Sequence, residues 1–369
     1  MARNKKKVLY VCPQSALGGA EQVTLSLARG HERWDPTILF FSEGPLVEEA
    51  RGNGIPVHIL SGGRPRLRHP VSVARAIGEI ARVIRNEQAD LVHGVMAYSH
   101  LFSGPAALAT RVPSVWFQHG PVENLDWVTA RIPTKMIFDN SQYTLERQKR
   151  FHPAGRIEVI YPGIALEVEP VAPLRAHFDL EPESLAFGII GRIAPLKGHR
   201  EFLQAAKTVA RNLPQARFLV IGSPFMPGDL RYLREIQDLS HSLGIENRVR
   251  FTGFLPKAEA LSLCDVVVNA SSVPEGFGLT IVEGMGAGKP VLAPACGGPL
   301  EIIRPGTDGL LFEPGNPADL ADRMTQLGEN EGLRARLSRE ALSTVKQRFQ
   351  VKRMVKDIED RYDEIVKVR

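Results

Sequence analysis

The chain has 369 residues, of which 43% are hydrophobic and 24% charged, with a formal net charge of +5. At about 150 residues per domain this is a two-domain length of ordinary soluble, globular composition. The mild positive balance suits an anionic ligand or a membrane surface, and without a long basic run nucleic acid is not indicated. Cys12, Cys264 and Cys296 stand apart beside apolar residues with no C-x-x-C among them. Neither a zinc site nor a disulfide framework is expected, and a reducing compartment is. The basic start at residues 1–7 resembles the head of a signal peptide, but the apolar run behind it stops at Pro13, too short for a hydrophobic region. No window approaches the roughly 18 apolar residues of a membrane span. The expectation is a cytoplasmic protein, with peripheral contact at the inner face of the membrane compatible with its charge.

Residues 8–11 form an apolar run of strand length, followed by Gly18-Gly19-Ala20-Glu21 as a loop and a helical pattern through Val23, Leu27 and Ala28. A strand, a glycine loop and a helix open a doubly wound sheet. The loop lacks G-x-G-x-x-G, which argues against a dinucleotide site, and by itself it also reads as a tight turn needing glycine for its backbone. Residues 37–41 and 57–60 read as strands. A helix over 71–85 places Val73, Ile77, Ile80 and Ile84 on one face. Before it, residues 62–69 carry Arg64, Arg66 and Arg68, read first as a solvated loop and second as a contact for an acceptor or anionic lipid. Residues 90–93 and 113–120 read as buried strands ending at His93 and His119, and in open α/β sheets ligands bind beyond such strand ends. His93 is read as structural. Residues 135–141 form another strand, with Ser141 capping the helix after it, and 157–164 close the first half.

Residues 166–184 carry Pro and Glu with little periodicity and read as a linker. The domains expected are 1–165, 185–350 and a charged terminal helix over 351–369. After the linker the pattern restarts with a strand at 186–190, a loop at 191–198 and a helix at 199–212. Arg192 and Lys197 share that loop, and two cations beside a helix N-terminus make a clamp suited to a diphosphate. Strands follow at 217–222 and 249–255. Then comes the densest stretch, residues 271–288, flanked by short buried strands at 265–269 and 289–293. Glu275 and Glu283 have seven residues between them here and straddle a loop that turns into a helix. Free N–H groups and the positive end of the helix dipole would attract an anion. Carboxylates beside such a site would repel a bare phosphate, but they make sense holding the hydroxyls of a sugar and a ribose while the amides hold phosphates. That combination describes a nucleotide-sugar. A last strand at 309–312 and a helix opened by Asn316 and Pro317 complete the unit.

Glu275-x7-Glu283 with Phe277-Gly278 inside it, then Gly288-Lys289-Pro290-Val291 and Gly297-Gly298-Pro299-Leu300-Glu301, resembles the donor signature of the retaining GT-B glycosyltransferases of family 4, the glycosyl transferases group 1. The resemblance runs nearly the whole length, with its most specific motifs in the second half. It implies an α/β fold of two Rossmann-like, doubly wound domains facing each other across a cleft. The 1–165 domain would serve the acceptor, the 185–350 domain the nucleotide-sugar, and the last helix would pack back on the first domain. It further implies that Gly18 and Gly19 face the donor diphosphate and that His119 contacts the transferred sugar. Gly191, Arg192 and Lys197 would hold the leaving diphosphate, and the turn at Leu255 would meet the base. Glu275 would orient the sugar, Phe277, Gly278, Leu279 and Thr280 would hold phosphate and sugar, and Glu283 the ribose. One departure is glycine at 284 and 286, where the family usually has alanine; each should weaken the helix by roughly 0.5–1 kcal/mol.

The reaction implied moves a hexose or hexosamine from a UDP- or GDP-sugar to an acceptor hydroxyl, with retention, in cell-envelope glycan or glycolipid synthesis. The acceptor, lipid-linked or glycan, is not legible. No D-x-D occurs, so a metal is not expected. Rival readings are a nucleotide-sugar epimerase of the same fold and a non-catalytic nucleotide-sugar-binding protein, with a dehydrogenase more distant.

Overall fold

Short runs of Val, Ile, Leu and Phe bounded by glycine, proline or polar residues form strands buried on both faces, the pattern of parallel sheets covered by helices. In the computed structural model, described for residues 5–16, 18–120, 122, 124–152, 155–165 and 174–367, these strands build two separate sheets. The chain divides into one unit of Met1–Ile164 with Phe349–Arg369 and a second of Ala165–Arg348. Among the described residues no helix is long and apolar enough to cross a membrane.

The first unit holds β1 (Lys6–Cys12), β2 (Trp34–Phe40), β3 (Val57–Ile59), β4 (Leu91–Val95), β5 (Ser114–Gln118), β6 (Met136–Asp139) and β7 (Ile157–Val159) in the order β3-β2-β1-β4-β5-β6-β7, all parallel. The second holds β8 (Leu185–Ile190), β9 (Ala216–Ile221), β10 (Val249–Gly253), β11 (Val266–Val268), β12 (Val291–Pro294) and β13 (Leu310–Phe312) in the order β10-β9-β8-β11-β12-β13, also parallel. Each order reverses direction once, between β1 and β4 and between β8 and β11. That reversal is the topological switch point of a doubly wound sheet, and the crevice beyond the strand ends opens there.

Two local expectations are corrected. Gly19 is the first residue of the helix Gly19–Gly30, so only Gly18 precedes it as the cap and the Gly-Gly-Ala-Glu stretch is mostly helix, not loop. β4 runs past His93 to Val95, which leaves His93 in mid-strand, buried and bonded to Tyr362. In the helix Leu279–Gly286, Gly284 has a packing role as well: a Cβ on it would lie 3.1 Å from side-chain atoms of Val267 and Val291, so lacking one lets the helix lie close on β11 and β12. Of the linker, residues 166–173 fall outside the described residues; after them Arg175 binds the Ser184 carbonyl and Asp265. Ser141 caps the helix Gln142–Gln148 in a full capping box with Thr144.

The helix Val351–Lys367 belongs to the first unit, where it packs on Gly19–Gly30. Its hydrophobic face buries Met354, Val355, Ile358 and Tyr362. Glu359 beside them accepts from the backbone N–H groups of Glu32 and Arg33 and pairs with His31 and Arg33. Burial pushes the Glu359 carboxyl up, but the bonds from His31 and Arg33 outweigh it and hold it near about 2.

Candidate functional site

At the switch point of the second unit, the segments leaving β8 and β11 lie against each other. Gly191 leaves β8 at φ +149°, and Pro195–Lys197 makes one 3-10 turn before the helix His199–Asn212. Gly198 between them sits at φ +73°, and a Cβ there would stand 1.6 Å from the Ala270 carbonyl oxygen. Only glycine permits that approach. It brings Lys197 Nζ to 2.5 Å from Glu275 Oε1. Ser271 donates to the same oxygen at 2.6 Å, and Asn269 donates to Oε2 at 3.0 Å. The Glu275 side chain is only 13% exposed. Burial pushes its pKa up; the ammonium of Lys197 and the donors from Ser271 and Asn269 outweigh that and hold it below the usual carboxylate range. Glu275 is therefore an ionised carboxylate with three of its four lone-pair positions occupied, one remaining for a hydroxyl.

The loop bearing Glu275 is braced from behind. Gly298 donates its N–H to the Glu275 carbonyl at 3.0 Å, and a Cβ on Gly298 would fall 2.2 Å from the Phe277 carbonyl oxygen. Phe277 is buried, and Gly278, at φ +120°, caps the helix Leu279–Gly286 without any side-chain bond. Leu279 and Thr280, the first helical residues, have N–H groups that no intrahelical carbonyl can reach. They stand at the positive end of the helix. Glu283, one turn on, has its Oε1 2.6 Å from Lys257 Nζ. Lys257 opens the helix that follows the turn at Leu255, which is half-buried. Glu283 and the Leu255 turn thus flank one place.

Arg192 is 44% exposed. Its Nε lies 3.2 Å from Asp229 Oδ2, and its two terminal amino groups have no partner among the described residues. Arg192, Lys197, Glu275, Leu279 and Thr280 all lie on the two segments leaving β8 and β11. The site can hold an anion by the guanidinium, the ammonium and the helix end, and a hydroxyl by Glu275.

In the first unit His119 directly follows β5, half-buried with its Nε2 enclosed, its carbonyl accepting from Asn140 Nδ2 at 2.8 Å. Nε2 has no partner among the described residues, and burial pushes the imidazole down to about 3, so it is neutral at physiological pH. Gly18 is half-buried and Gly19 exposed at the start of their helix after β1. A Cβ on Gly18 would meet Glu21 Oε2 at 2.3 Å. Glu21 is itself buried, which raises its pKa. Gly18 and Gly19 follow β1 at the switch point, and His119 lies two strands away at the end of β5.

Sequence reading missed the residues that orient these groups. Asn269 and Ser271 were the more legible: polar residues directly after an apolar strand and before Glu275. Lys257 and Asp229 stand far from the groups they meet, and nothing in their own segments marks them. Asp139, at the carboxyl end of β6, was passed over as part of a strand; burial, then Asp126, push its carboxyl up to about 8.

Two family models match this chain: Glycosyl transferases group 1 over residues 174–344 and Glycosyltransferase Family 4 over residues 17–168. A D-inositol 3-phosphate glycosyltransferase of Nocardioides is 30% identical over 203 residues, 51% of this chain and 44% of that one. The putative glycosyltransferase EpsD of Bacillus subtilis is 29% identical over 256 residues, 67% of this chain and 64% of that one. The matches therefore span less than two thirds of the length of these curated relatives. Among solved structures, Anabaena Alr3699/HepE in complex with UDP aligns at TM-score 0.83 and 25% identity over 97% of this chain and 100% of that one. The same protein with UDP and glucose aligns at TM-score 0.86 and 24% identity, over 97% and 99%. A glycosyltransferase from Rickettsia africae aligns at 0.86 and 22%, over 99% and 100%. Two doubly wound parallel sheets and these neighbours define the α/β fold of GT-B proteins. The chain belongs to the group 1 glycosyltransferases, family 4.

Proposed function

We propose that this protein transfers a hexose or hexosamine from a UDP-sugar to an acceptor hydroxyl, with retention and without a metal, in glycan or glycolipid synthesis. The observation that carries the reading is the pairing at the second switch point of an ionised, incompletely satisfied Glu275 with the open edge of Arg192. Breaking the bond from C1 to the leaving oxygen builds negative charge on the diphosphate. Arg192, Lys197 and the amides of Leu279 and Thr280 stabilise that charge more in the transition state than in the ground state. Glu275 takes a sugar hydroxyl, and Glu283 takes the ribose beside the Leu255 turn. His119, neutral, exchanges a hydrogen bond with the sugar rather than a full charge. The solved complexes of Alr3699/HepE with UDP favour uridine as the base.

The test is thermal unfolding with UDP, GDP and ADP, all in EDTA, on wild type and Arg192→Ala. A ligand at about a hundred times its dissociation constant adds roughly 2.7 kcal/mol. A shift with UDP that the substitution abolishes is expected; no shift with any nucleotide would remove the reading. Isomerised donor formed without acceptor would select the epimerase instead.

The same reading includes an anionic membrane surface as a partner. Arg64, Arg66, Arg68, Arg75, Arg82 and Arg85 fall within residues 61–86 beside a single acid, Glu79, an excess equal to the +5 of the whole chain. Val71, Arg75, Arg82 and Arg85 share one exposed face of the helix Pro70–Glu87, and Leu67 is exposed beside them. Glu79 is bound to the backbone N–H and hydroxyl of Ser61. Each arginine near an anionic surface contributes about 1 kcal/mol. Wild type should sediment with phosphatidylglycerol-containing vesicles at low salt, and Arg82→Glu/Arg85→Glu should not. Equal behaviour with neutral vesicles would discard the partner.

A further inference from the structure

We infer that Asp229 is a positioning residue for the diphosphate clamp, holding Arg192 by one edge so that its other edge faces the anion. The inference rests on the donor-site reading above. Asp229 is the third residue of the helix Pro227–Ser242, which follows β9, the strand beside β8. One of its oxygens, Oδ2, accepts from the backbone N–H groups of Phe225 at 3.0 Å and Met226 at 2.9 Å and faces Arg192 Nε at 3.2 Å. The residue is 4% exposed. Two amides and its burial fix this carboxylate in place, whereas Arg192 is a long, half-exposed side chain.

An arginine free to rotate gives up side-chain entropy when it binds. Tethering Nε beforehand removes part of that cost. It also sets the plane of the guanidinium, whose terminal amino groups have no other partner among the described residues and can meet phosphate oxygens in the bidentate manner. The negative charge of Asp229 does little to repel the diphosphate. It sits in the first turn of a helix, against two N–H groups and the positive end of the dipole, which offset it locally.

Asp229→Asn keeps an oxygen for the two amides and removes the charge that holds Arg192. UDP affinity is measured by calorimetry for wild type, Asp229→Asn, Arg192→Ala and the double variant, with the melting temperature of each. The expected result is about tenfold weaker UDP binding in Asp229→Asn at an unchanged melting temperature, the loss of one charge-assisted contact. In the Arg192→Ala background the second substitution should cause no further loss, because both act through one guanidinium. Wild-type affinity or tighter binding in Asp229→Asn, or fully additive losses, would overturn the inference; additive losses with a lowered melting temperature would assign Asp229 to structure alone. If the wild-type protein binds no nucleoside diphosphate, the donor-site reading itself falls, a result visible before any variant is compared.

Discussion

Asp139 shows how a single buried group ties the first unit to pH. Its carboxyl ionises at about 8 in the folded chain, against an ordinary aspartate value of 3.8. The folded state therefore binds the proton more tightly, and the stability this confers is complete below about 3.8 and lost as pH rises to about 8. Asp139→Asn mimics the protonated form, so its advantage over wild type should be absent near pH 4 and grow toward pH 8. The slope should not exceed about 1.4 kcal/mol per pH unit. Urea unfolding at several pH values checks it, and a difference independent of pH would mean the carboxyl is ionised throughout. Glu275 is the opposite case. It is as enclosed as many neutral acids but stays charged because Lys197, Ser271 and Asn269 converge on it. The fate of a buried carboxyl depends on which donors the fold aims at it, and residue type alone does not decide.

At the scale of the element, the helix Leu279–Gly286 sets propensity against packing. Alanine at 284 would gain about 1 kcal/mol of intrinsic helix preference over glycine. Its Cβ would also press on Val267 and Val291 at 3.1 Å, on two strands buried completely or nearly so. Overpacking a close-packed interior typically costs about 1–3 kcal/mol. Gly284→Ala should therefore lower the melting temperature, and a raised one would show that propensity prevails. The function of the helix depends on this seating, because its N-terminus and Glu283 are placed by how closely it lies on β11 and β12.

At the scale of the whole molecule, the chain leaves the first unit at Ile164 and returns to it at Phe349. The returning helix covers the first unit with Met354, Ile358 and Tyr362, each worth roughly 1.5–3 kcal/mol when buried. It also supplies Glu359, onto which His31 and Arg33 close. Removing residues 350–369 should abolish amide-exchange protection in residues 5–164 while residues 165–348 keep theirs. Retained protection in both would mean the helix is dispensable to the unit it completes.

The sequence by itself determined the two doubly wound sheets, because continuous apolar runs separated by glycine loops and amphipathic helices have few other ways to be buried. It also marked Glu275, Arg192 and Lys197, whose charges stand on short loops before a helix, and Glu283, in the helix that follows one of them. It misplaced the start of the helix at Gly19 by three residues and the end of β4 by two, since boundaries depend on hydrogen bonds that composition does not specify. Tertiary structure alone decided that Lys197 meets Glu275, Lys257 meets Glu283 and Asp229 meets Arg192. Such pairs join residues 26 to 78 positions apart. No periodicity within a segment encodes them; they exist because parallel strands bring the ends of distant segments to one edge of a sheet.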